Sequence, residues 1–181
     1  MKGKTLTVTG GVVLVALIIV GGIYALTRAN KHVATVATHK SAYKSGSSLA
    51  TDLGVKFNAT PNPDLVYVKQ GTSALFSSDS LIKSTATTGG GCDPEDSPLG
   101  SIQRINKSSL VADNAPGSSW LNTASGLNEA VKNGGAKDFS TYYLIYLPPQ
   151  GTCSATNNSQ ANNEQTSQAQ QVYGLYASSH Q

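Results

Sequence analysis

The chain has 181 residues, 39% of them hydrophobic and only 13% charged, with two cysteines, three histidines and a net charge of +3. That length suits one domain with appended segments, and so few cysteines and histidines exclude a multi-ligand metal centre at ordinary spacing and a histidine-based hydrolase triad. Residues 1–44 carry six Lys/Arg and no acid, whereas 45–181 carry seven against ten Asp/Glu, so the larger part is mildly acidic and has no basic stripe suited to nucleic acid.

After a short N-terminal segment at 1–5, residues 6–26 form an uncharged apolar run between Lys2 and Lys4 on one side and Arg28 and Lys31 on the other. At a rise of about 1.5 Å per residue a helix of this length spans roughly 31 Å, which matches a bilayer's hydrocarbon core. The run predicts a transmembrane anchor, with membrane lipid as its partner. A cleaved secretory signal is the rival reading, but its apolar region runs to only about 7–15 residues, and Arg28 and Leu26 interrupt the small-residue pairs Thr27/Ala29 and Ala25/Thr27. Counting flanking charges alone turns the following domain inward. A long domain crosses largely regardless of its charges, however, and this one has the Ser/Thr/Asn/Gly-rich composition of an exported module. The expectation is a single-pass membrane protein with an extracytoplasmic C-terminal domain.

Residues 27–50 read as a polar stalk, with basic residues placed to meet anionic headgroups or an acidic wall polymer and with His32 and His39 as solvated side chains. A globular domain is expected over 51–155. Within it, 65–69 and 74–77 read as a hairpin turning at Gln70-Gly71-Thr72, and 101–106 as a further strand. The run TYYLIYL at 141–147 is apolar or aromatic on both faces and stops at Pro148-Pro149, which marks a central, two-sided strand. One main soluble helix is predicted from Ser118 or Ser119, with Trp120, Ala124, Leu127 and Val131 on one face, Gly126 inside and Gly134-Gly135 at its end. Burial of Trp120 against the central strand gives an α+β fold.

Cys92 and Cys153 are expected to form a disulfide if the domain is exported. Beyond 155 the sequence is rich in Asn, Gln and Ser and reads as a mobile tail over 156–181. Ala169, Val172, Tyr173 and Tyr176 lie at helical spacing near its end, so a short terminal helix is the alternative.

Candidate chemistry is sparse. The loop at Asp93, Glu95 and Asp96 gathers carboxylates but lacks calcium-loop spacing, and its prolines suit a rigid turn. Leu147 to Gly151 resembles a sortase sorting signal at four of five positions, with Gln150 in place of the threonine, and reads as a strand-ending proline turn. Sequons stand at Asn58, Asn106 and Asn157. No catalytic, metal or cofactor site is expected. Tyr67, Tyr173 and Tyr176 are the candidate binding surface, and the partner expected beyond lipid is an envelope protein or wall polymer.

The start KGKTLTV followed by an apolar run resembles the amino end of type IV pilins through Lys2, Gly3, Thr5 and Leu6, with Lys4 and Val8 where that family has phenylalanine and glutamate. The resemblance covers about 25 residues. It implies leader removal after Gly3 and a filament subunit, as the alternative to an anchored binding or assembly domain.

Overall fold

The computed structural model describes residues 43–86, 91–153 and 159–181. The apolar run at 6–26, the leader-like start, the stalk histidines and the Asn157 sequon lie outside these residues. Among the described residues no helix is long and apolar enough to cross a membrane.

The fold is α+β. Its strands are β1 (Lys44–Ser45), β2 (Lys56–Phe57), β3 (Leu65–Gln70), β4 (Ser73–Ser78), β5 (Ser101–Asn106), β6 (Ala136–Asp138), β7 (Tyr142–Leu147) and β8 (Ser179–His180). Its helices, four among the described residues, are α1 (Leu49–Leu53), α2 (Asp79–Thr85), α3 (Ala124–Lys132) and α4 (Ser159–Ser178). Six strands make one antiparallel sheet in the order β1-β3-β4-β5-β7-β6, and β2 pairs separately with β8.

The β3–β4 hairpin is in register from Leu65↔Ser78 to Gln70↔Ser73. Gly71 takes the first position of the two-residue turn with φ 61°, a conformation that costs glycine nothing and other residues a clash. Strand β7 is two-sided as its sequence predicts. Tyr142 and Leu144 enter the larger core with Tyr67, Phe76 and Ile102, while Tyr143 and Ile145 enter a second cluster around Leu127, Ile105 and Ala136. The larger cluster is completed by Leu49 and Leu53 of α1, Leu81 of α2, and Val172, Leu175 and Tyr176 of α4.

Three expectations are corrected. First, the expected mobile tail is helical from Ser159: α4 runs for 20 residues and buries Ala161, Gln165, Ala169, Val172, Leu175 and Tyr176. Ala, Gln and Glu are good helix formers, and the buried stripe supplies the tertiary packing that holds such a helix. Its end is fixed by Lys137, whose Nζ donates to the carbonyls of Ala177 at 2.6 Å and Ser179 at 2.7 Å, satisfying groups the helix leaves open. Second, the domain begins inside the expected stalk. Lys44 and Ser45 pair with Tyr67 and Val66, and α1 follows, so the compact unit covers 41–181 rather than 51–155.

Third, the helix after Pro116 starts at Ala124, not at Ser118 or Ser119, because Thr123 is its N-cap and its hydroxyl accepts from Gly126 N. Asn122 closes a tight turn ahead of it by accepting from Ser119 N at 2.6 Å. Trp120 is thereby left outside the helix and 50% exposed, and Leu127 takes the place beneath β7. The turn brings the Trp120 backbone against the first turn of α3. A Cβ on Gly126 would lie 2.5 Å from the Trp120 carbonyl oxygen, whereas one on Gly174 in α4 would meet open space. The two glycines therefore respond oppositely to alanine. Gly126→Ala is expected to destabilise by about 1–3 kcal/mol through overpacking and Gly174→Ala to stabilise by about 0.5–1 kcal/mol, as urea midpoints will show.

Candidate functional site

Strand β7 ends at Leu147, and the Pro148-Pro149 turn carries the chain back alongside α4. Between this turn and the helix lies a groove of about 430 Å³, open to solvent, with Tyr146, Pro149, Thr152, Asn162, Thr166 and Tyr173 among its walls. Its helical wall is one stripe of α4, residues 162, 166, 169, 170 and 173. Tyr146, Tyr173 and Tyr176 form an aromatic triplet, with ring centroids 5.5 Å apart for Tyr146–Tyr173 and 5.9 Å for Tyr173–Tyr176. Burial raises the pKa of the Tyr146 hydroxyl and, with a smaller contribution from Tyr173, pushes that of Tyr176 up to about 12. Both phenols stay neutral at physiological pH.

The groove's floor is held by Gln165, a residue that sequence reasoning passes over. Its buried amide donates to the carbonyls of Pro98 at 2.7 Å and Gly151 at 2.9 Å and accepts from Cys153 N at 3.2 Å. The Cys92–Cys153 disulfide, with a sequence separation of 61, ties the same two stretches of chain together covalently. Beside it, the Ser77 hydroxyl donates to the Cys92 carbonyl. One covalent bond and one glutamine thus fix the 91–99 loop, the proline turn and α4 to each other.

Of the three tyrosines expected at a binding surface, only Tyr173 is exposed, at 49%. Tyr67 and Tyr176 are 0% and 2% exposed, because each sits on the inward face of its element and is a core side chain. The Tyr67 hydroxyl donates to Asp52 Oδ2 at 2.5 Å, where Lys44 Nζ also donates at 2.7 Å, and Lys69 Nζ lies 3.8 Å from Oδ1. This cluster fastens α1 to the sheet. The Lys44 and Tyr67 hydrogen bonds and the charges of Lys44 and Lys69 hold Asp52 below the usual carboxylate range, while burial and Asp52 push Tyr67 up to about 12.

A carboxylate with a lowered folded-state pKa stabilises the fold above its unfolded value, and that stability is lost as pH falls through the folded value. Asp52→Asn is therefore expected to cost about 1–2 kcal/mol at neutral pH, a figure for lost charge-assisted hydrogen bonds, and the gap to wild type should begin to narrow only as pH falls below about 3.8, the ordinary value, and close beneath the lowered one. Chemical denaturation at neutral and acid pH measures both.

In the acidic loop, Pro94–Asp96 forms a 3-10 turn, and Asp93 Oδ1 accepts from the Tyr43 hydroxyl at 3.0 Å. That bond and burial raise the Tyr43 pKa, burial contributing most. The loop thus pins the start of the domain. No group of three His, Cys, Asp or Glu side chains is placed to hold a metal ion among the described residues. A second cavity, of about 330 Å³, lies between Thr60 and Gly174; a hydrogen bond from Asn62 to Gln171 uses two of its polar side chains, and no aromatic ring lines it. The groove at Tyr173 is the better candidate site. No protein-family model, curated protein or solved structure matches the chain, so the role of that groove is to be read from its chemistry.

Proposed function

We propose that the chain is a single-pass, membrane-anchored envelope protein whose domain at 43–181 lies outside the cytoplasm and acts in binding or assembly through the groove at Tyr173. The disulfide carries this reading. Both cysteines of the chain are used in it, and such bonds persist in oxidising compartments and are rare in the cytosol. The basic-flanked apolar run at 6–26 supplies the tether. An open groove whose walls are pinned by a disulfide and a buried glutamine is a preformed contact surface, for which little ordering entropy remains to be overcome on binding. An envelope protein or a wall polymer is the class of partner.

The test is the intact mass of the membrane-extracted protein, with thiols alkylated before and after reduction. A full-length mass with both thiols reactive only after reduction is the expected result. Loss of the first three residues favours a filament subunit, and a start near Ala29 makes the protein secreted. Two thiols that react without reduction place the domain in the cytoplasm and overturn the proposal.

A further inference from the structure

Among the described residues the groove has no charged side chain in its walls. An ion brought into it would give up water without gaining a counter-charge, which disfavours acidic peptides and phosphate-rich polymers. The polar groups it offers are side-chain amides and hydroxyls, on Asn162, Gln170, Thr152 and Thr166. One of them is left open to a donor from the ligand. The Thr166 hydroxyl donates to Asn162 O at 2.9 Å, leaving its lone pairs to accept, whereas Asn162 Oδ1, without a hydrogen-bond partner among the described residues, is itself buried. A proline-rich segment, which has no N–H at its prolines, meets that need poorly.

The remaining feature is the exposed ring of Tyr173, braced by Tyr146 and Tyr176. A flat apolar surface bordered by neutral hydrogen-bonding groups is the complement of a pyranose, which has a C–H face and a rim of hydroxyls. A cavity of about 430 Å³ lies within the usual range for small-ligand sites and admits a short stretch of sugar chain. Resting on the reading of an exported binding domain, we infer that this groove takes a neutral saccharide chain, one sugar ring stacked on Tyr173 and its hydroxyls bonded to Thr166 and Gln170.

The experiment uses the full-length protein in detergent, titrated with tetrasaccharides of β-1,4-linked N-acetylglucosamine, β-1,4-linked glucose and α-1,4-linked glucose, with a proline decamer and poly-glutamate as the competing chemistries. Calorimetry and saturation-transfer NMR read the binding. The expected result is saturable binding of at least one neutral tetrasaccharide with a Kd of roughly 10 μM to 1 mM, weakened about tenfold by Tyr173→Ala, kept by Tyr173→Phe and weakened by Thr166→Val. Thermal melts of each variant separate lost binding from lost folding. Saturable binding by none of the three sugars, affinity unchanged in a folded Tyr173→Ala protein, or binding only of the decamer or poly-glutamate overturns the inference. Any of these results with thiols that react only after reduction leaves the anchored, exported reading standing. Sugar binding by a protein with free thiols in the cell would overturn that reading alone.

Discussion

Ending the chain after Asn158 is expected to abolish cooperative folding of the domain. Helix α4 places Val172, Leu175 and Tyr176 in the larger core cluster and buries Ala161 and Ala169 beside them. Losing one large core side chain costs about 2–5 kcal/mol, and a domain of this size has only about 5–15 kcal/mol in total, so losing three with their helix exceeds what the rest can supply. Leu175→Ala is the graded version and should cost about 2–4 kcal/mol. The readouts are near-UV circular dichroism, through the packed tyrosines, and urea unfolding. A truncated protein that keeps a native near-UV spectrum and a sharp transition would show that α4 is dispensable.

Replacing both cysteines, Cys92→Ser with Cys153→Ser, should lower stability by about 4 kcal/mol on the chain-entropy account of closing a loop of this length. Both sulfurs lie in or against the larger core, and the bond spans 61 residues that include β5, α3 and β7. Gln165→Leu should act on the same region by a different route. It leaves the carbonyls of Pro98 and Gly151 and the N–H of Cys153 without their present partner, and each such group costs about 1–3 kcal/mol where it stays buried. Urea titrations of the oxidised, reduced and substituted proteins measure both losses. Equal midpoints for the oxidised wild type and the double-serine protein would contradict the first, and an unshifted midpoint for Gln165→Leu the second.

What could be read from sequence was whatever the residue types announced locally. TYYLIYL has the apolar residues of a strand covered on both faces, the Gly71 turn sits between two β-rich runs, and the chain has two cysteines to form one bond. What could not be read depended on partners far along the chain. The buried stripe of α4 begins Ala161, Gln165, Ala169, so its first half is two methyl groups and an amide, which a hydropathy pattern cannot distinguish from a solvated tail. The carbonyls of Pro98 and Gly151 and the N–H of Cys153 make Gln165 a core residue. Strand β1 is Lys44 and Ser45, two polar residues whose place is set by backbone pairing with β3. Trp120 misled in the other direction: its spacing fits the α3 face, but the turn closed by Asn122 takes it off the helix. At the groove, Tyr173 and the proline turn were each visible, and their meeting was not.

The two outermost strands of the sheet are its shortest, β1 with two residues and β6 with three, and they carry Lys44, Lys137 and Asp138. A neighbouring chain that tried to extend the sheet would find a few free backbone groups guarded by charge, which is how native sheets avoid edge-to-edge aggregation. The longer and more apolar strands, β3, β4, β5 and β7, all have a partner on each side. Among the described residues of this sheet a neighbouring copy is left those two short strands and the outer edge of β3 beyond Tyr67, where Lys69 stands, as places to add a strand.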